Sequence, residues 1–221
     1  MTSLSRLLAI LTLLFTLPLS AQEKKQESES SRKTQKSSAK KEEGRKKPVK
    51  TRILKAASRD PQVKPLNLKI PVTWKEVKSR TNMRAATVEI PAAKGDKEKG
   101  ELAVFIFGPQ SLNQNIDRWI GQFRPDGRKS KVVKGKRKAG EDNAYYVVEV
   151  SGTWKKPDGP PFLQKTKDAP GYRMLGLLIP SKTALYVIKL TGPDKTVAAQ
   201  AKALRSAIGG DAKTEKPLIR D

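Results

Sequence analysis

The sequence predicts an α+β domain, an antiparallel sheet of about six strands with helices packed on it, behind a disordered N-terminal region. Three features carry that expectation. Between residues 83 and 191, segments of alternating or wholly apolar residues are joined by polar turns, the pattern of hairpins and so of antiparallel pairing. Two stretches, 112–123 and 194–208, change to the 3.6-residue period of amphipathic helices. Residues 22–57 contain no aromatic residue and almost no large aliphatic one, so they cannot bury enough surface to offset chain entropy.

The elements follow in order. Residues 72–77 offer a short first strand. Residues 83–90 form a strand that Pro91 ends, and 92–100 (AAKGDKEKG) are a polar turn. In 102–107, Leu102, Val104 and Ile106 alternate with Ala103, Phe105 and Phe107. A strand apolar on both faces belongs inside a sheet that is covered on both sides. Leu112, Ile116, Trp119, Ile120 and Phe123 make one helical stripe with Ser111 as N-cap. Arg124-Pro125-Asp126-Gly127 then turns the chain. Residues 131–138 form a weak strand whose Lys134, Lys136 and Lys138 share a face, as on an edge strand protected by lysines. Gly140-Glu141-Asp142-Asn143 leads into its hairpin partner at 145–153.

Residues 155–171, with four prolines, read as a long loop. Strands at 172–179 and 185–191 make another hairpin through 180–184. Gly192-Pro193 stops the sheet and Asp194 caps a last helix. Val197, Ala198, Ala201, Leu204 and Ile208 form its apolar stripe, closed by Gly209. The domain plan is therefore a signal peptide at 1–21, a lysine-rich disordered linker at 22–65, a globular domain at 66–209 and a polar tail at 210–221.

Residues 1–21 carry the marks of an export signal: Arg6, an apolar run at 7–17, Pro18, and a small residue, Ala21, before the cleavage point. The run is shorter than the roughly 20 residues a membrane-spanning helix needs, and no later segment is long and apolar enough. The expected location is secreted, periplasmic or associated with the cell envelope.

Composition excludes several chemistries. The chain has no cysteine and no histidine. Disulfides, thiol nucleophiles, Ser-His-Asp systems and His/Cys zinc sites are therefore impossible. The formal charge is +24, and residues 22–57 alone hold 13 basic and 5 acidic residues. Such a chain is drawn to polyanions. An export signal argues against genomic nucleic acid and for an acidic envelope polymer or an anionic membrane surface; a protein partner stays open.

Several segments carry a resemblance. Asn115-Ile116-Asp117-Arg118-Trp119 with Gln122-Phe123, then Val150-Ser151-Gly152-Thr153, Pro170-Gly171-Tyr172-Arg173-Met174-Leu175-Gly176 and Lys189-Leu190-Thr191-Gly192-Pro193 resemble an uncharacterised family of secreted bacterial proteins, over residues 83–208. The element order is similar to the PsbP-like α/β/α sandwich of the photosystem II extrinsic subunit. That resemblance implies a fold and says little about function.

Candidate sites are few. Lys129, Lys131, Lys134, Lys136, Arg137 and Lys138 are the densest basic run of the body. They read either as a polyanion site or as a solvated protective edge. Trp119 reads as core rather than as the cap of a ligand pocket, and Trp74 and Trp154, near strand ends, read either as binding aromatics or as the rim of the core. Gly192-Pro193-Asp194-Lys195-Thr196 lacks phosphate-loop spacing, and Glu141-Asp142 lacks the further acids that calcium needs. No catalytic residue, metal site or cofactor is indicated. The expected function is an exported, non-catalytic binding or scaffolding protein. The alternatives are an electrostatic polyanion binder and an assembly subunit of an envelope complex. An enzyme would need carboxylates or lysines alone, and a pocket gathering several acids, or a lysine in apolar surroundings, would favour it.

Overall fold

A computed structural model describes residues 49–79, 81–138, 143–160 and 163–219. The expected signal and most of the linker lie outside the described residues. The elements are β1 (Thr51–Ala56), β2 (Leu66–Pro71), β3 (Lys75–Val77), β4 (Ala86–Ile90), β5 (Gly100–Phe107), α1 (Leu112–Ile120), β6 (Lys129–Arg137), β7 (Ala144–Pro157), β8 (Thr166–Pro180), β9 (Leu185–Pro193), α2 (Asp194–Ala207) and β10 (Gly210–Pro217). β1 and β2 form a two-stranded antiparallel sheet. The rest form one antiparallel sheet in the order β10-β6-β7-β8-β9-β5-β4-β3. The chain is thus α+β with two helices, and its main sheet has eight strands rather than about six.

Each face of the main sheet has its own core. On one, Val88, Leu102, Val104, Val147, Leu177 and Ile188 meet Val197 and Leu204 of α2 and Leu54, Leu68 and Ile70 of the β1–β2 hairpin, with Trp74 fully buried among them. On the other, Ile116 and Trp119 of α1, with Phe123 after it, pack on Val148, Val150, Met174, Leu178 and Val187. Each buried side chain of this size stabilises the fold by about 1.5–3 kcal/mol. As expected of a strand apolar on both faces, β5 is interior, between β9 and β4.

Several expectations need correction. The stretch read as linker contains β1. Leu54 and Ala56 point inward there, while Thr51, Ile53 and Lys55 face outward. The flanking lysines hide this short alternation in a composition typical of disorder. The stretch read as a tail contains β10, which pairs with β6. It is polar on both faces, so its apolar signal is absent. Its anchor is polar instead: Glu215 accepts from the Tyr145 hydroxyl at 2.8 Å and from Arg205 Nε and a terminal Arg205 nitrogen at 2.6 and 3.1 Å.

Strand β6 is consequently no edge strand; it lies between β10 and β7. The proline-rich stretch is no long loop either. β7 runs on to Pro157 and β8 starts at Thr166, pairing Trp154 with Ala169 and Lys156 with Lys167. Pro157 sits at the strand end and Pro170 opposite the bulge, positions where a strand tolerates a missing donor.

Helix α2 begins at Asp194 after Pro193, with no side-chain cap of its own. The cap comes from the β4–β5 turn. Asp96 Oδ2 accepts from Thr196 N at 2.8 Å and from Thr196 Oγ1 at 2.7 Å, and Thr196 Oγ1 accepts from Ala93 N at 2.9 Å. Asp194, expected to cap the helix, pairs with Arg173 at 3.0 Å.

Candidate functional site: a cationic cavity pair on the α1 face

The sheet face that carries α1 is only partly roofed. Trp119 lies against Gly176 of β8, so near that a methyl group on Gly176 would come within 2.0 Å of the indole. Beside this roof, over β9, β5 and β4, is a cavity of about 410 Å3.

A bulge in β7 shapes the cavity wall. It lies between Gly152 and Trp154, and Gly152 takes a φ of 141° that other residues rarely adopt. Past the bulge, Thr153 O accepts from Arg124 N and Gln122 O accepts from Lys155 N, both at 2.8 Å. Residues 122–124 therefore lie along β7 directly after α1. This places Trp154 at the cavity and delivers the Gln122 side chain to β9, where Gln122 Oε1 accepts from Lys189 Nζ.

Lys189 interrupts an apolar strand. It shares the α1 face of β9 with the core residues Leu185 and Val187. Burial lowers its amine to a pKa of about 8, helped by the positive charges of Arg118 and Arg84 and opposed by Glu101.

The acids lining this cavity are matched one by one. Glu101 pairs with Arg84 at 2.9 Å, Glu89 with Lys99 at 2.7 Å and Glu98 with Lys156 at 2.8 Å. The Tyr172 hydroxyl also donates to Glu98 at 2.6 Å. The hydrogen bond from Lys156, then that from Tyr172, holds the Glu98 carboxyl below its ordinary range. Lys189 is the cation left over, on a neutral amide oxygen rather than a carboxylate.

A second cavity, of about 430 Å3, adjoins the first. Arg118, Gln122, Trp154, Lys155, Thr166 and Lys189 line it. No carboxylate stands among its described lining residues. Trp154 and Lys189 belong to both cavities. Trp154 is half-buried and stacks on Tyr172 with ring centroids 5.4 Å apart. A larger cavity, about 640 Å3, lies between residues 57–63 and 78–85. Arg59 there donates to the Asn82 carbonyl oxygen.

The basic run expected as a polyanion site falls on β6 and its end, but not as one patch. Val133 faces the α2-side core, so by alternation Lys129, Lys131 and Arg137 point to that side. Lys134, Lys136 and Lys138 point to the other, and Lys134 Nζ stands 5.7 Å from the centre of the Tyr146 ring. No carboxylate among the described residues pairs with Lys129, Lys131, Lys134, Lys136 or Lys138.

Trp119 is a core residue as expected, 3% exposed, whereas Trp74, expected at the rim, is core as well, 1% exposed. Glu141 and Asp142 lie outside the described residues. At Gly192–Thr196 the amide of Thr196 is occupied by Asp96. Among the described residues no three acids are grouped to hold a metal, and no helix is long and apolar enough to cross a membrane.

Lys189 is not among the candidate site residues expected from the sequence. Its signal was present: one lysine in Tyr186-Val187-Ile188-Lys189-Leu190, at a position facing the core.

No family model matches the sequence, and no curated protein matches it. The solution structure of cyanobacterial PsbP (CyanoP) from Synechocystis sp. PCC 6803 is similar over 69% of this chain and 86% of that one, with 11% identity and a TM-score of 0.39. A likeness at that level says nothing of function.

Proposed function

We propose that this chain is an exported, non-catalytic binding protein of the periplasm or cell envelope that holds an anionic partner. One observation carries the proposal. The acids of the α1-face cavity are consumed in ion pairs, while Lys189 and the five lysines of 129–138 have no carboxylate partner among the described residues. Unmatched cations at a surface attract anions over about a Debye length and lose that attraction as salt rises. The six-residue run is divided between two faces, which favours an extended anionic surface or polymer that wraps the strand end over a compact ligand seated on one side.

The PsbP-like arrangement is part of the same proposal. It is supported by α1 and α2 packing on opposite faces of an antiparallel sheet.

Cosedimentation of the full chain with phosphatidylglycerol vesicles, against phosphatidylcholine vesicles, tests the binding reading. Binding to the anionic vesicles alone, lost as salt is raised, is the expected result. Equal binding to both, or to neither vesicle nor acidic polymer, rejects it.

A second, enzymatic reading has one observation in its favour. An amine with a pKa near 8 is partly neutral at physiological pH, and so nucleophilic towards a carbonyl compound. Against it, each acid lining the 410 Å3 cavity already holds a cation, which leaves no ready proton shuttle. Turnover of any carbonyl substrate that disappears in Lys189→Arg would establish it.

A further inference from the structure

We propose that the paired cavities around Lys189 bind a small phosphate-bearing molecule with a flat apolar body. Lys189, Arg118 and Lys155 hold the phosphate, and Trp154 forms the wall for the body. This rests on the binding function proposed above and names a ligand class for one site.

The charge balance selects an anion. Of the groups lining the second cavity, three are cationic, Thr166 adds a hydroxyl donor, and none of the described ones is a carboxylate. Gln122 Oε1 occupies one donor of the Lys189 ammonium, which leaves two for a ligand. Arg118 donates to the Asn115 side-chain oxygen and keeps further guanidinium donors. The charged groups facing Lys189 are Arg118 from α1, Lys155 from β7, Arg84 ahead of β4, and Glu101 from β5, which Arg84 already pairs. A phosphate carries up to two negative charges and at least three acceptor oxygens, and so matches this donor set better than a carboxylate does.

The cavity shape selects the rest of the molecule. The two cavities, about 410 and 430 Å3, meet at Trp154 and Lys189, and each has room for a small aromatic ligand. Trp154 is held in place by its stack on Tyr172 and by the pairing with Ala169. Phe105 lines the first cavity and stacks on Phe107 at 5.7 Å. A ligand whose phosphate sits at Lys189 therefore meets Trp154 from either cavity, and Phe105 as well in the first. Anion binding would also relieve the crowding of Lys189 by Arg118 and Arg84 and raise the amine from its depressed value.

Calorimetric titration of the full chain with phenyl phosphate, inorganic phosphate and benzoate tests the site. The expected order is phenyl phosphate tightest, inorganic phosphate weaker, benzoate weakest, with one site per chain. Lys189→Met should weaken phenyl phosphate at least about tenfold, and Lys189→Arg should retain most of the affinity. Trp154→Ala should erase the advantage of phenyl phosphate over inorganic phosphate. A triple variant on β6, Lys131→Gln with Lys134→Gln and Lys136→Gln, should bind phenyl phosphate as the parent does. In the parent itself, saturating phenyl phosphate should move the Lys189 amine titration, followed by NMR, to higher pH.

Absence of saturable binding, benzoate equal to phenyl phosphate, unchanged affinity in Lys189→Met, or an equal loss in the β6 variant would each overturn the proposal. The first three leave vesicle binding through β6 standing. Loss of vesicle binding with phenyl phosphate binding retained would instead remove the envelope-surface function and keep this site.

Discussion

Trp119 packs directly on the backbone of Gly176: the indole fills the space where any other residue would place its first carbon. An added methyl at Gly176 would stand 2.0 Å from one ring carbon and 2.5 Å from the next. Trp119 is buried and α1 is short, so the ring cannot retreat without lifting the helix from the sheet. Gly176→Ala should therefore destabilise the protein by about 1–3 kcal/mol, the usual cost of overpacking, and it should shift the tryptophan emission. Urea unfolding of the variant checks this; an unchanged midpoint would show that α1 is not pressed against β8.

Asp96 acts as the N-cap of a helix nearly a hundred residues later in the chain. It receives the Thr196 amide and hydroxyl, and the helix has no side-chain cap of its own. Asp96→Ala should cost about 1 kcal/mol, while Asp96→Asn should recover part of it. Thermal unfolding of the three proteins gives the order. Equal stabilities would mean that water replaces the carboxylate at no cost.

Glu215 fastens a strand that has almost no apolar side chains. It binds Tyr145, whose phenol is pushed above its ordinary range first by burial and then by Glu215, and it pairs with Arg205. The Arg205 and Glu215 side chains are only 14% and 10% exposed. Glu215→Ala leaves a guanidinium and a hydroxyl without their acceptor and should cost about 1–3 kcal/mol. Hydrogen exchange should then quicken in β10 before it does in β7. Uniform protection in both strands would contradict this anchor.

Lys189 makes stability depend on pH in a definite direction. Its folded pKa, about 8, lies below the ordinary 10.5. Below pH 8 the amine is charged in both states, and the folded state carries the full burial penalty. Between about pH 8 and 10.5 the unfolded chain binds the proton and the folded chain does not, so this group makes stability rise with pH. Lys189→Met should unfold at a higher temperature than the parent at pH 7, and the difference should shrink towards pH 10. A variant less stable than the parent at pH 7 would mean that the ammonium is stabilised in place.

The fold was legible where burial leaves a period in the sequence. The all-apolar strand at 102–107, the helical stripe from Leu112 to Phe123 and the hairpin of β8 and β9 follow directly from side-chain alternation. Elements held by other means were not legible. β1 shows only Leu54 and Ala56 inward among lysines. β10 is fastened by Glu215 rather than by apolar burial, and the extension of β7 depends on a bulge at Gly152. The site was hidden for the same reason. Lys189, Arg118, Gln122 and Trp154 come from three separate segments, and only the pairing of residues 122–124 with β7 brings them together. The basic run that was visible in one segment turned out to be divided by strand alternation between two faces.

The most direct test of the account is the salt dependence of binding between the full chain and heparin. The proposed grip on an anionic partner comes from lysines of the folded body that have no carboxylate partner among the described residues. A log–log plot of affinity against salt should fall steeply for the parent. Its slope should lessen by roughly one unit for each contact removed in the variant combining Lys131→Gln, Lys134→Gln and Lys136→Gln. A parent affinity indifferent to salt, or a slope that the triple substitution leaves unchanged, would contradict it.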